Sequence, residues 1–100
     1  MDTKNFKISA NNERKASKIA PDQKAINRAI TSAKKKYLNC SIIIIARYQW
    51  LRRNKLSFPI DMDMPNLCLT VKDGKLIRAF YCTVLTHIIK KQNYYIQVLN

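Results

Sequence analysis

His87 is the only histidine in this 100-residue chain, so general acid–base chemistry near neutral pH would have to start from it. It has no adjacent Ser or Cys nucleophile and no paired carboxylate to orient it, as a triad requires. A small basic ribonuclease would combine such a histidine with a Lys and a Tyr, and nothing in the spacing favours that over an ordinary strand residue. Asp61-Met62-Asp63 offers two carboxylates, a poor set for a divalent ion that wants six or more oxygens. Cys40, Cys68 and Cys82 are odd in number and widely spaced, without a Cys-x-x-Cys pair, so neither a disulfide framework nor a zinc site is expected. They read as three small hydrophobes in a reducing, intracellular compartment. No catalytic residue, metal, cofactor or small-molecule substrate is expected.

The chemistry that the residues do support is electrostatic. Lys and Arg number 19 against 6 Asp and Glu, a net charge of +13. Residues 1–55 hold 14 basic groups and 3 acidic ones, net +11, whereas residues 56–100 hold 5 and 3, net +2. Such an excess repels itself in an isolated compact state and is relieved when a polyanion neutralises it. Nucleic acid is the densest polyanion available, and Lys and Arg along its phosphates gain affinity by releasing condensed counterions. The candidate contacts are Arg14, Lys15 and Lys18, then Lys24, Arg28, Lys34, Lys35 and Lys36, then Arg47, Arg52, Arg53 and Lys55. Tyr48 and Trp50 stand among the last group. They either stack on unpaired bases, as aromatics beside Arg can, or pack in the core, and alternation along a strand favours the core.

These groups need elements to position them. Residues 1–20 are polar and cationic with few apolar anchors and read as a basic flexible arm that cannot offset its own ordering entropy. Residues 21–100 read as a single small α+β domain. Pro21-Asp22 opens an amphipathic helix, with Ile26, Ala29, Ile30, Ala33 and Tyr37 on one face, Lys24, Arg28, Thr31, Lys34 and Lys35 on the other, and Asn39 as its stop. The β-branched run from Ser41, continued by alternation to Trp50, predicts a strand, followed by a cationic loop, Arg52-Arg53-Asn54-Lys55. Pro59 and Pro65 bracket a segment that no central strand can occupy.

The second half reads as a small antiparallel sheet of three to four strands. Asp73-Gly74 between apolar runs is a hairpin signal, because both turn residues must accept positive φ. It predicts pairing of Val71 with Leu76 and of Leu67 with Phe80, in strands 67–71 and 76–85. A last strand is expected from Tyr94 to Leu99, after Lys90-Lys91-Gln92-Asn93, and Tyr81, Tyr94 and Tyr95 read as sheet packing and edge residues. No apolar run approaches the ~18 residues of a membrane span. The first residues lack the apolar core of a signal peptide, and an organellar transit role stays open.

Residues 7–38 resemble the C-terminal half of small-subunit ribosomal protein eighteen of bacteria and organelles. That family has a Gly-Lys-Ile lead-in, a basic patch, then Gln-Arg-x-Leu-x-x-Ala-Ile-x-x-Ala-Arg before a closing Leu-Leu-Pro-Tyr. Here stand Lys7-Ile8, then Glu13-Arg14-Lys15, then Gln23-Lys24-Ala25-Ile26-Asn27-Arg28-Ala29-Ile30-Thr31-Ser32-Ala33-Lys34, then Leu38. The family's first helix is missing, and residues 41–100 have no counterpart. The resemblance implies contacts to ribosomal RNA from Arg14, Gln23, Lys24, Arg28 and Lys34, and a neighbouring ribosomal protein. Charge and resemblance together predict a non-enzymatic RNA-binding protein of a ribosome, organellar or otherwise, or of another ribonucleoprotein, with the C-terminal sheet meeting other proteins. The alternative is a small phage or viral protein that binds DNA or a host component.

Overall fold

The isoleucine run forms the centre of the molecule. In the computed structural model, which describes residues 19–33, 37, 39–83 and 92–99, β1 (Ser41–Ala46) lies between two other strands. Its partners are β2 (Asn66–Lys72) and β4 (Tyr94–Leu99), and β3 (Lys75–Cys82) pairs with β2 at the outside, giving the order β3-β2-β1-β4, antiparallel throughout. Ile44 stands opposite Leu69 on one side and Ile96 on the other. Ile42, Ile44 and Ala46 enter one buried cluster, and Ile43 and Ile45 enter a second with Cys68, Phe80 and Cys82. A strand buried on both faces reads as a continuous apolar run, which is why four isoleucines in a row suit it.

Helix α1 (Gln23–Ser32) packs Ala25, Ile26 and Ala29 on the first cluster. Asp22 is its N-cap and accepts the Lys24 backbone N–H at 3.0 Å, so Pro21 precedes the cap and does not occupy the first turn. The helix ends seven residues before Asn39. Ala33 turns extended (φ −74°, ψ 127°) while its buried methyl and its N–H, shared between the carbonyls of Ala29 and Ile30, stay fixed to the core.

The strand expected to run to Trp50 stops at Ala46. Leu67 of β2 and Tyr94 of β4 flank Ala46 and are the last partners in that direction, so a longer β1 would have left backbone groups unpaired. The chain instead folds into α2 (Tyr48–Arg53), in which Leu51 is fully buried. Arg52 and Arg53 are therefore helical, and only Asn54 and Lys55 turn. The exit is a Schellman motif: Leu56 N–H donates to Leu51 O (3.0 Å) and Lys55 N–H to Arg52 O (2.9 Å), with Lys55 at φ 57°. Leu51 and Leu56 are both buried in the first cluster and supply its apolar clasp.

The hairpin turns at Asp73 (φ 50°) and Gly74 (φ 78°), with Val71 opposite Leu76 as the sequence predicts. Leu67, however, faces Tyr81 and not Phe80. Thr70 pairs with Arg78, leaving Ile77 as the extra residue of a β-bulge, 61% exposed. One added residue reverses the faces of everything beyond it. Tyr81 thereby joins the helix-side cluster and donates its hydroxyl to Ser57 O (2.9 Å), while Phe80 and Cys82 go to the opposite cluster with Cys68. The segment between Pro59 and Pro65 forms no strand, and β3 ends at Cys82. Thr83, within the expected 76–85 run, is a bend beyond the strand; the remainder of that run, His87, and the arm as far as residue 18 lie outside the described residues.

Candidate nucleic-acid interface

On α1 the buried positions leave Gln23, Lys24, Asn27, Arg28 and Thr31 exposed. On α2 the exposed groups are Gln49, Arg52 and Arg53, with Lys55 exposed just beyond. Arg14, Lys15, Lys18, Lys34, Lys35 and Lys36 lie outside the described residues.

A closed circuit of contacts joins the two basic stretches. Arg28 Nε donates to Asn54 Oδ1 at 3.2 Å. The Asn54 amide is itself held, donating through Nδ2 to Trp50 O at 2.8 Å. The Trp50 indole lies against the Tyr94 ring with centroids 5.2 Å apart and planes tilted by 30°. Tyr94 donates its hydroxyl to the carbonyl of Ala29, the residue next to Arg28. Burial holds this hydroxyl well above the ordinary tyrosine value, so it remains a donor throughout the neutral range. The circuit spans α1, α2 and β4, so the placement of Arg28 is set by tertiary structure. A solvated lysine on a free helix has no such constraint.

Between the two stretches lies an open depression of about 370 Å³, lined by Lys24, Asn27, Arg28, Thr31, Asn54 and Leu56. Asn27 Oδ1 accepts from Gln23 Nε2 at 2.9 Å. The depression therefore carries two cations at its wall, of which Arg28 is held by Asn54, with amide and hydroxyl groups beside them and an aliphatic surface. Asn54 was legible only as a turn residue. Its partner is 26 positions away, and no local pattern in a sequence announces such a pair.

The aromatics that strand alternation placed on one face sit elsewhere. Trp50 is committed to Tyr94 and the first cluster. Tyr48 meets Phe58 edge-on (5.2 Å, 74°) and carries the Arg52 guanidinium 5.6 Å above its ring. Arg47 has a different job from the other cations. It is half-buried at the start of α2, its N–H donating to Asn93 O (2.9 Å) and its Nη1 to Gln92 O (3.3 Å), which ties the α2 start to the approach to β4.

The fold and surface define an α+β domain, an open antiparallel sheet with both described helices on one face and a cationic depression between them. Comparison of the chain with protein-family models, with curated proteins and with solved structures gives no match. Among the described residues no three metal-ligating side chains cluster, and no helix is long and apolar enough to cross a membrane. Cys40, Cys68 and Cys82 are free thiols, the last two buried. Burial and the neighbouring Cys82 push the Cys68 thiol well above its ordinary value.

Proposed function

We propose that this chain is a non-enzymatic RNA-binding protein, a structural component of a ribonucleoprotein particle. By the resemblance over residues 7–38 the particle is the ribosome and the ligand ribosomal RNA. The observation that carries the reading is the circuit Arg28–Asn54–Trp50–Tyr94–Ala29, which holds Arg28 of the first basic stretch against Asn54 beside the second. Its action is charge neutralisation and ordering; no covalent bond is made or broken. Asn54 and the Schellman exit keep Lys55 at a positive φ where glycine would be less strained, and its side chain is exposed.

Salt dependence tests the mechanism. Lys24 and Arg28 line the depression, and Arg52, Arg53 and Lys55 are exposed on α2 and its exit, five cations in all. At about −0.7 per contact on single strands, they give a slope of roughly −3.5 in log K against log salt, or about a hundredfold loss between 50 and 200 mM. A binding titration of a labelled ribosomal RNA fragment measures it. Flat affinity over that range removes the electrostatic mechanism, and RNA cleavage that disappears in His87→Ala replaces the reading with a nuclease.

A further inference from the structure

The shape of the depression says which form of nucleic acid it takes. We infer that the recess between α1 and the 54–56 turn is a seat for an unpaired nucleotide, an inference that rests on the nucleic-acid reading above. A helix that reads a duplex enters the major groove, a channel ~12 Å wide, as a free convex ridge. Here the basic face of α1 is no ridge. Arg28 is hydrogen-bonded across to Asn54, and Asn54 and Leu56 form the facing wall, so the charged surface is concave. A phosphate backbone wrapped into a duplex presents no group that projects into such a hollow. A single strand or a bulge does.

The lining matches the parts of one nucleotide unit. Lys24 and Arg28 sit one helical turn apart, suited to adjacent phosphate oxygens. The guanidinium uses Nε toward Asn54, and its two terminal nitrogens are the pair that grips a phosphate in fork geometry. Leu56, in the facing wall, offers a base an aliphatic edge. Asn27 has its Oδ1 engaged by Gln23, so its Nδ2 is the group that meets the ligand, a donor for a carbonyl or ring-nitrogen acceptor on a base edge. A volume of about 370 Å³ falls at the small end of ligand sites, which run roughly 300–1,000 Å³, and suits one nucleotide unit better than several.

The test is fluorescence anisotropy of the full chain with three short labelled RNAs at one salt concentration: an unstructured single strand, the same strand in a blunt duplex, and a duplex carrying one bulged nucleotide. The single strand and the bulge bind about tenfold tighter than the blunt duplex, the lower range of one base contact. Asn27→Ala, on the exposed helix face and so expected to fold, weakens the first two by roughly two- to tenfold, the range of one hydrogen bond, and leaves the duplex unchanged. Equal affinity for all three RNAs, or no response to Asn27→Ala, overturns the seat while the nucleic-acid reading stands. Binding to none of them ends both.

Discussion

Replacing Asn54 by alanine tests whether Arg28 works as a held group or as a loose charge. The substitution removes two hydrogen bonds, the half-buried Nδ2 donation to Trp50 O at 2.8 Å and the exposed acceptance from Arg28 Nε at 3.2 Å. At ~1 kcal/mol for the first and less for the second, the stability loss is about 1–2 kcal/mol. For a domain of this size each kcal/mol lowers Tm by roughly 4–8 °C, so the variant remains folded at a low assay temperature if the parent is of ordinary stability. No charge is lost, so the salt slope of RNA binding stays where it was. Affinity falls about two- to tenfold, because Arg28 must now be immobilised on binding at ~0.5–1.5 kcal/mol. Arg28→Ala, by contrast, lowers the magnitude of the slope by ~0.7. In the double variant the Asn54 effect on affinity vanishes, and the loss equals that of Arg28→Ala alone to within ~0.5 kcal/mol. Anisotropy titrations of the four proteins at several salt concentrations complete the cycle. Additive losses, or a slope that changes with Asn54→Ala, refute the argument that Asn54 acts through Arg28.

Two further outcomes follow from particular residues. Lys55→Gly relieves a positive φ and stabilises the domain by about 1 kcal/mol in a urea melt, yet lowers the magnitude of the RNA salt slope by ~0.7; a destabilised variant would contradict the cap geometry. Burial raises the folded-state values of the Tyr94 and Tyr81 hydroxyls and the Cys68 thiol, with the charges of Asp22 and Cys82 adding to the last two respectively. The unfolded chain therefore releases these protons first, near pH 9 for the thiol and near pH 10 for the phenols, and stability declines above pH 9 at up to ~1.4 kcal/mol per pH unit per group. Tyr94→Phe makes the decline above pH 10 shallower in equilibrium unfolding; an unchanged slope would show that this hydroxyl is not buried.

The α+β class, the hairpin turn and the last strand were legible because each has a local cause. Asp73-Gly74 must accept positive φ, a β-branched run stiffens at χ1, and Tyr94 to Leu99 follows a polar break. What misled was the alternation of Arg47, Tyr48, Gln49 and Trp50. Its pattern is that of a strand, but among the described residues β2 reaches only to Asn66 and β4 begins at Tyr94, so little backbone is left beyond Ala46 to pair with it and a helix forms. The bulge at Ile77 was equally hidden, since the turn dictates pairing only near itself, and it decides which of Phe80 and Tyr81 meets the helices. At the candidate interface the cations were legible from charge alone. The recess itself was not, because Asn54 meets Arg28 only once α1 and α2 are brought together, 26 positions apart in the chain.

Ultraviolet cross-linking of the bound RNA, followed by peptide mass spectrometry, addresses the central claim most directly. Nucleotide adducts concentrated on peptides within residues 23–56, and lost in Arg28→Ala, are the predicted result. Adducts confined to the strands at 66–72, 75–82 and 94–99, or cross-links from the 23–56 surface to polypeptide alone, would contradict it.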